Sequence, residues 1–229
     1  MPPTDLEGAK NGAARQARSS ALLNALAPPA GPGVDALAMM RTLADHGDST
    51  TDTDFVVNIA PPGAATLCVH NRHDPNNRGT TAASVVADFP KLAEDGTMGR
   101  LPVYWCAMYS PCLSIYLPVF IEAELPPELS IGEQHPSADS PWWLFHAIGQ
   151  DALRQGAARE GEVRAAFAPL QRRFLGEAHA KATDAHELIA SGEPAVASRM
   201  LTSYVAACTA EALEVARGLR PEGGGGATL

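Results

Sequence analysis

Lysine is nearly missing from this chain: three of 229 residues, at Lys10, Lys91 and Lys181, against 14 arginines. With abundant alanine, glycine and proline, that bias reads as the mark of a GC-rich bacterial genome and carries no chemistry. Positive charge is scarce altogether. Lys and Arg number 17 against 26 Asp and Glu, a formal charge of −9. A nucleic-acid or anionic-membrane surface is thereby excluded as the main partner, since either would repel the protein. Cysteine is sparse too. Cys68, Cys106, Cys112 and Cys208 contain no CxxC pair and are too scattered for a disulfide framework, so reduced, mostly buried thiols are expected. There is no long apolar run. The stretch Val103–Ile121 is interrupted by Ser110, Pro111, Ser114 and Pro118, which suits strands better than a membrane helix. The opening Met1-Pro2-Pro3-Thr4-Asp5 lacks a basic-then-apolar signal, which makes the cytoplasm the default compartment. The Gly223–Gly226 run lacks the strand–loop–helix context of a phosphate loop.

What is present suffices for a core. Apolar residues make up 45% of the chain, which excludes wholesale disorder. At roughly 100–200 residues per domain the length predicts one large domain or one and a half small ones. Residues 1–12 are polar and are expected to fray. Ala14, Ala17, Ala21 and Ala25, beside Leu22 and Leu26, predict a helix over 13–27. The run Pro28–Gly33 breaks it, and 34–46 predicts a second helix with Gly47 as its C-terminal glycine, completing a helical hairpin. Short strands are predicted after that at 66–70, 80–89, 103–109 and 112–122, giving an antiparallel sheet of three or four strands. A Pro-rich linker spans 125–141. Beyond it the periodicity is helical, with Val163, Phe167, Leu170, Phe174 and Ala178 as one stripe, Pro169 as an expected kink, and a last helix over 194–219. The glycine-rich 221–229 reads as a tail. The fold class is α+β.

That architecture has a problem to solve. Val103–Tyr109 is apolar on both alternating faces, so both should be buried. Helices on one side of the sheet leave the other side without a cover. Another chain, a homodimer partner or a missing half of the same fold is expected to supply it.

Several residue groups carry possible chemistry. Cys68, His70, His73 and Asp74 are of metal-ligating types, yet their spacing matches no standard zinc module, and no metal or other cofactor is expected. Cys68 or Cys112 paired with His70, and oriented by Asp74 or Asp88, would make a nucleophile–base pair; both thiols are weak candidates against the reading as small buried residues. The polar loop 71–79 delivers Arg78, with Thr80 and Thr81, to a strand end that could line a substrate mouth. Trp142 and Trp143 read as packing at a helix start rather than a ligand cage.

The order Arg41-Thr42-Leu43-Ala44-Asp45-His46, Cys68-Val69-His70, Thr80–Pro90, Val103-Tyr104-Trp105, Ser110–Pro118 and Ser140-Pro141-Trp142-Trp143 resembles the closing half of a family. It is that of the secernins and their bacterial dipeptidase relatives, more distantly the acyl-coenzyme A:isopenicillin N acyltransferases, all cysteine N-terminal-nucleophile hydrolases. The resemblance runs from about Arg15 to Gly218. It implies half of an α-β-β-α sandwich and amide-bond chemistry in which the first cysteine of the mature chain is nucleophile and its α-amine the base. This chain begins Met1-Pro2-Pro3 and has no cysteine before Cys68, so the nucleophile-bearing half is expected from a separately encoded chain. The resemblance also implies an arginine near the catalytic thiol at the head of the first helix; Arg15 matches best, with Arg18 next, to hold a carboxylate of a small amide or peptide substrate. The alternatives are a non-catalytic scaffold or interaction protein and a self-sufficient small cysteine hydrolase.

Overall fold

The computed structural model describes residues 6–27, 34–46, 66–70, 80–132 and 134–221. Two helices come first, α1 (Leu6–Leu26) and α2 (Ala36–Leu43), followed by strands β1 (Ala83–Asp88), β2 (Val103–Met108) and β3 (Tyr116–Val119) and by helices α3 (Pro141–Gln155), α4 (Ala157–Ala190) and α5 (Pro194–Gly218). The class is α+β with a helical C-terminal region. Helix α1 starts earlier than the composition predicts, taking in residues 6–12. Gly47 and the loop 71–79 lie outside the described residues.

Local chemistry sets the boundaries. Asp35 caps α2, its carboxylate accepting from the Ala38 N–H at 2.7 Å. Proline stands at the start of α3 and α5, where the missing N–H costs nothing. Gly156, at φ 91°, makes the sharp joint between α3 and α4. Pro169 sits inside α4, which continues through it.

The sheet has three strands in the order β1-β2-β3, antiparallel throughout. The segment 66–70, expected as a fourth strand, is irregular because its amides bond elsewhere. Leu67 N and Cys68 N both donate to the Asp45 carbonyl, at 3.2 and 3.0 Å. Thr81, just before β1, ties it to the sheet: Thr81 N donates to Val69 O at 2.9 Å, and Val69 N donates to Thr81 Oγ1 at 3.0 Å. Residues 111–113 form a 3₁₀ turn, so β3 begins at Tyr116 rather than at Cys112.

One face of the sheet, carrying Val86, Val103, Trp105, Ala107 and Tyr116, is buried and belongs to a single core with α3, α4 and α5. Helix α4 closes over the ends of this layer. Gln171 bonds both backbone groups of Tyr116, accepting from its N–H at 2.7 Å and donating to its carbonyl at 3.3 Å. The predicted stripe of α4 is buried at Val163, Phe167, Phe174 and Ala178, with Leu170 half-buried. The opposite sheet face is different. Its β1 residues Ala83, Val85 and Ala87 are exposed, Val85 by 58%, and Tyr104, Cys106 and Met108 of β2 are half-exposed. Phe89, 61% exposed, leans on Tyr104 from the same side.

Candidate functional site

Three stretches far apart in sequence meet beside the start of the 3₁₀ turn. The end of α2 brings Asp45 and His46, the irregular segment brings Cys68 and His70, and the turn brings Cys112. The ligand atoms of His46, Cys68, His70 and Cys112 all lie within 4.8 Å of one another. Cys68 Sγ is 3.6 Å from Cys112 Sγ, and His70 Nε2 is 3.6 Å from Cys68 Sγ, 3.2 Å from Cys112 Sγ and 3.0 Å from His46 Nε2. Cys68, Cys112 and His46 are buried at 1, 5 and 3% exposure, and His70 is half-buried.

The backbone explains why these side chains converge. The Asp45 carbonyl takes two amides of the 66–70 segment, so His46 and Cys68 are held side by side. Pro111 fixes the turn that aims Cys112 inward. Ser110 Oγ lies 3.4 Å from His70 Nδ1 and donates to the Thr81 carbonyl at 3.2 Å. Its hydroxyl proton is therefore committed, and it accepts from Nδ1–H. That tautomer leaves the His70 Nε2 lone pair facing the cluster. On His46, Nδ1 is buried with no hydrogen-bond partner.

The two thiols are driven apart in acidity. Burial pushes Cys68 up, but hydrogen bonds led by those from Cys112 and His46 outweigh it and hold the thiol well below its ordinary value. Burial pushes Cys112 well above it, reinforced by its hydrogen bond with Cys68 and by the negative charge there. Chemically the four side chains can share a metal ion, form a disulfide, or hold a Cys–His pair; the depth of both sulfurs keeps a bulky substrate carbonyl at a distance.

An arginine pair sits on the same corner. Arg18 grips Asp45 bidentately, Nε to Oδ2 at 3.0 Å and Nη2 to Oδ1 at 2.6 Å, with the carboxylate nearly fully buried. Arg15 is exposed, and its Nη2 donates to the Leu67 carbonyl at 3.1 Å. Of the two candidate arginines of the first helix, Arg15 thus reaches the segment that carries Cys68, and Arg18 holds Asp45, whose carbonyl anchors that segment. Thr81 spends its backbone and hydroxyl on holding Val69. Arg78, His73 and Asp74 lie outside the described residues. Trp142 donates its indole N–H to the Ala82 carbonyl at 2.8 Å and stacks on His146.

Linear spacing among Cys68, His70, His73 and Asp74 excludes a standard zinc module; in space the donors that join Cys68 and His70 are His46 and Cys112. Sequence reasoning missed His46 as a site residue, because it closes a helix 24 positions from His70 with no local pattern to mark it. Asp45 was missed for the same reason. No helix among the described residues is long and apolar enough to cross a membrane. Comparison with protein-family models, with curated proteins and with solved structures returned no match.

Proposed function

We propose that this chain is one half of a cysteine N-terminal-nucleophile amide hydrolase or acyltransferase, and that a separately encoded chain docks a second β-layer carrying the nucleophile onto it. The observation that supports this reading is the sheet face bearing Val85, Ala87, Tyr104, Cys106 and Met108. It is apolar, and no described helix covers it at β1. Apolar sheet faces are stable when packed on a second layer, and two stacked sheets about 10 Å apart are the ordinary solution. An α-β-β-α sandwich places the second sheet on that side, opposite α3, α4 and α5.

In such an assembly the incoming cysteine thiolate attacks the carbonyl carbon of an amide. Its own α-amine takes the thiol proton and passes it to the departing amine, and water then hydrolyses the acyl-thioester. Arg15 is the residue of this chain assigned to a substrate carboxylate, since it is exposed and held in place at Leu67.

Co-expression of this chain with the coding sequence immediately upstream tests the reading. A stoichiometric complex with thiol-dependent amide hydrolysis is expected. Val85→Glu should dissociate it while leaving the circular dichroism of the isolated chain unchanged. A lone chain that is a well-behaved monomer, unfolds cooperatively and binds no apolar dye refutes it, as does a homodimer that seals the face and shows no activity with any partner.

A further inference from the structure

We propose that His46, Cys68, His70 and Cys112 form a closed tetrahedral Zn²⁺ site that clamps the end of α2, the 66–70 segment and the 110–113 turn together. Zinc bonds of about 2.3 Å to sulfur and 2.0–2.1 Å to nitrogen give a tetrahedron with edges of roughly 3.8 Å between sulfurs, 3.5 Å between sulfur and nitrogen and 3.3 Å between nitrogens. The corresponding separations here are 3.6 Å for the sulfurs, 3.2 and 3.6 Å from His70 Nε2 to the two sulfurs, and 3.0 Å between the Nε2 atoms. These four separations fall within a few tenths of an ångström of coordination edges, and all four donor atoms lie within 4.8 Å of one another, so a modest inward movement of His46 toward the sulfurs completes the tetrahedron.

The donor set agrees with the geometry. Two thiolates and two neutral imidazoles bring the charge of Zn²⁺ to zero, as a site this deep requires. Binding releases to solvent the thiol protons that the two cysteines carry in the metal-free chain. His70 is held with Nδ1–H on Ser110 Oγ, the outer-sphere contact that fixes a ligating imidazole in the correct tautomer. His46 Nε2 already lies beside His70 Nε2, so one ion can accept both lone pairs. All four positions of the tetrahedron come from the chain, and three of the four residues are buried. That makes the site a structural one, with no position open for a reacting water, and His70, half-buried, marks the entry path. Soft sulfur with imidazole in a four-coordinate cage selects Zn²⁺ over Mg²⁺ or Ca²⁺. The inference does not rest on amide-bond chemistry; a chain with no hydrolase activity binds the metal equally.

The test uses the full chain, reduced and stripped of metal, titrated anaerobically with Co²⁺ alone. A 1:1 end point is expected, with thiolate-to-cobalt charge transfer, intense visible bands of a tetrahedral ion, and bleaching when Zn²⁺ displaces it. Cys112→Ser and His46→Asn should abolish those bands, Ser110→Ala should weaken binding roughly 10–100-fold, and Cys106→Ser and Cys208→Ser should leave it intact. Since Cys112→Ser can unfold, alkylation of the unmutated protein supplies a second readout. Zn²⁺ should protect Cys68 and Cys112, located by peptide mass, and leave the rates at Cys106 and Cys208 unchanged. Absence of the bands in folded, reduced protein overturns the proposal. So do bands that persist in Cys68→Ser, Zn²⁺ that protects no thiol, and protein isolated anaerobically with Cys68 and Cys112 already joined as a disulfide.

Discussion

Gly149→Ala should destabilise the protein although it improves the helix propensity of α3. Gly149 is buried, and a Cβ built on it stands 2.6 Å from Tyr109 Cδ1 and closer still to Cε1. That ring has nowhere to go. Tyr109 is 1% exposed, its hydroxyl accepts from Gln150 Nε2 at 2.8 Å, and its backbone sits at φ 64°, a conformation uncommon for a residue with a side chain. Overpacking of a rigid core costs about 1–3 kcal/mol, against a propensity gain of at most about 1 kcal/mol. An overlap this close belongs at the upper end of that cost, about 2–3 kcal/mol, so the net is a loss of roughly 1–2 kcal/mol, and for a chain of this size the melting temperature falls by about 2–4 °C per kcal/mol. Gly176→Ala in α4 is the internal control, since nothing lies within 4 Å of the added methyl. It should stabilise by up to about 1 kcal/mol. Urea unfolding followed by circular dichroism, with midpoint and slope fitted for both variants, reads the two signs. A Gly149→Ala midpoint equal to or above that of the unmutated chain refutes the close-packed account of Tyr109. With it would go the fixed geometry of the turn that begins at Ser110.

Gln171→Leu removes the side chain that satisfies both backbone groups of buried Tyr116, leaving an unpaired N–H inside the core. A loss of about 1–3 kcal/mol is expected in the same urea assay, and a neutral result would mean that β3 finds another partner. Asp88 predicts an acid response. Burial works against its charge, but its hydrogen bonds with His179 and Arg100, and the Arg100 charge, lower its pKa below the ordinary carboxylate value. A folded-state pKa below the unfolded one means stability that is fully present above the unfolded pKa and lost as pH falls through the folded value. The unmutated chain should therefore lose more stability than Asp88→Asn between roughly pH 5 and pH 2, and parallel acid limbs in thermal melts of the two proteins would refute the role of the ion pairs.

The local signals carried a good part of the fold. Periodicity placed the long C-terminal helices, because Val163, Phe167, Phe174 and Ala178 recur at helical spacing and that spacing alone puts them on one side of α4. Alternation placed β1 and β2, and the apolar character of both faces of Val103–Tyr109 led to the expectation that both are buried; the chain buries Val103, Trp105 and Ala107 and leaves Tyr104, Cys106 and Met108 half-exposed. Residues 66–70 went differently. Their side chains suit a strand, yet a strand is made by its neighbours' hydrogen bonds, and the Asp45 carbonyl claims the amides of Leu67 and Cys68. The donor cluster was beyond any local reading. Cys68 and Cys112 are 44 residues apart, and His46 and His70 are 24 apart. Composition and periodicity thus determined where the C-terminal helices and the strands β1 and β2 lie, and the acidic balance of the chain. Only the tertiary fold decided that two thiols and two imidazoles share one buried point, because separations of that length are set by how α2, the irregular segment and the turn pack, and not by any spacing along the chain.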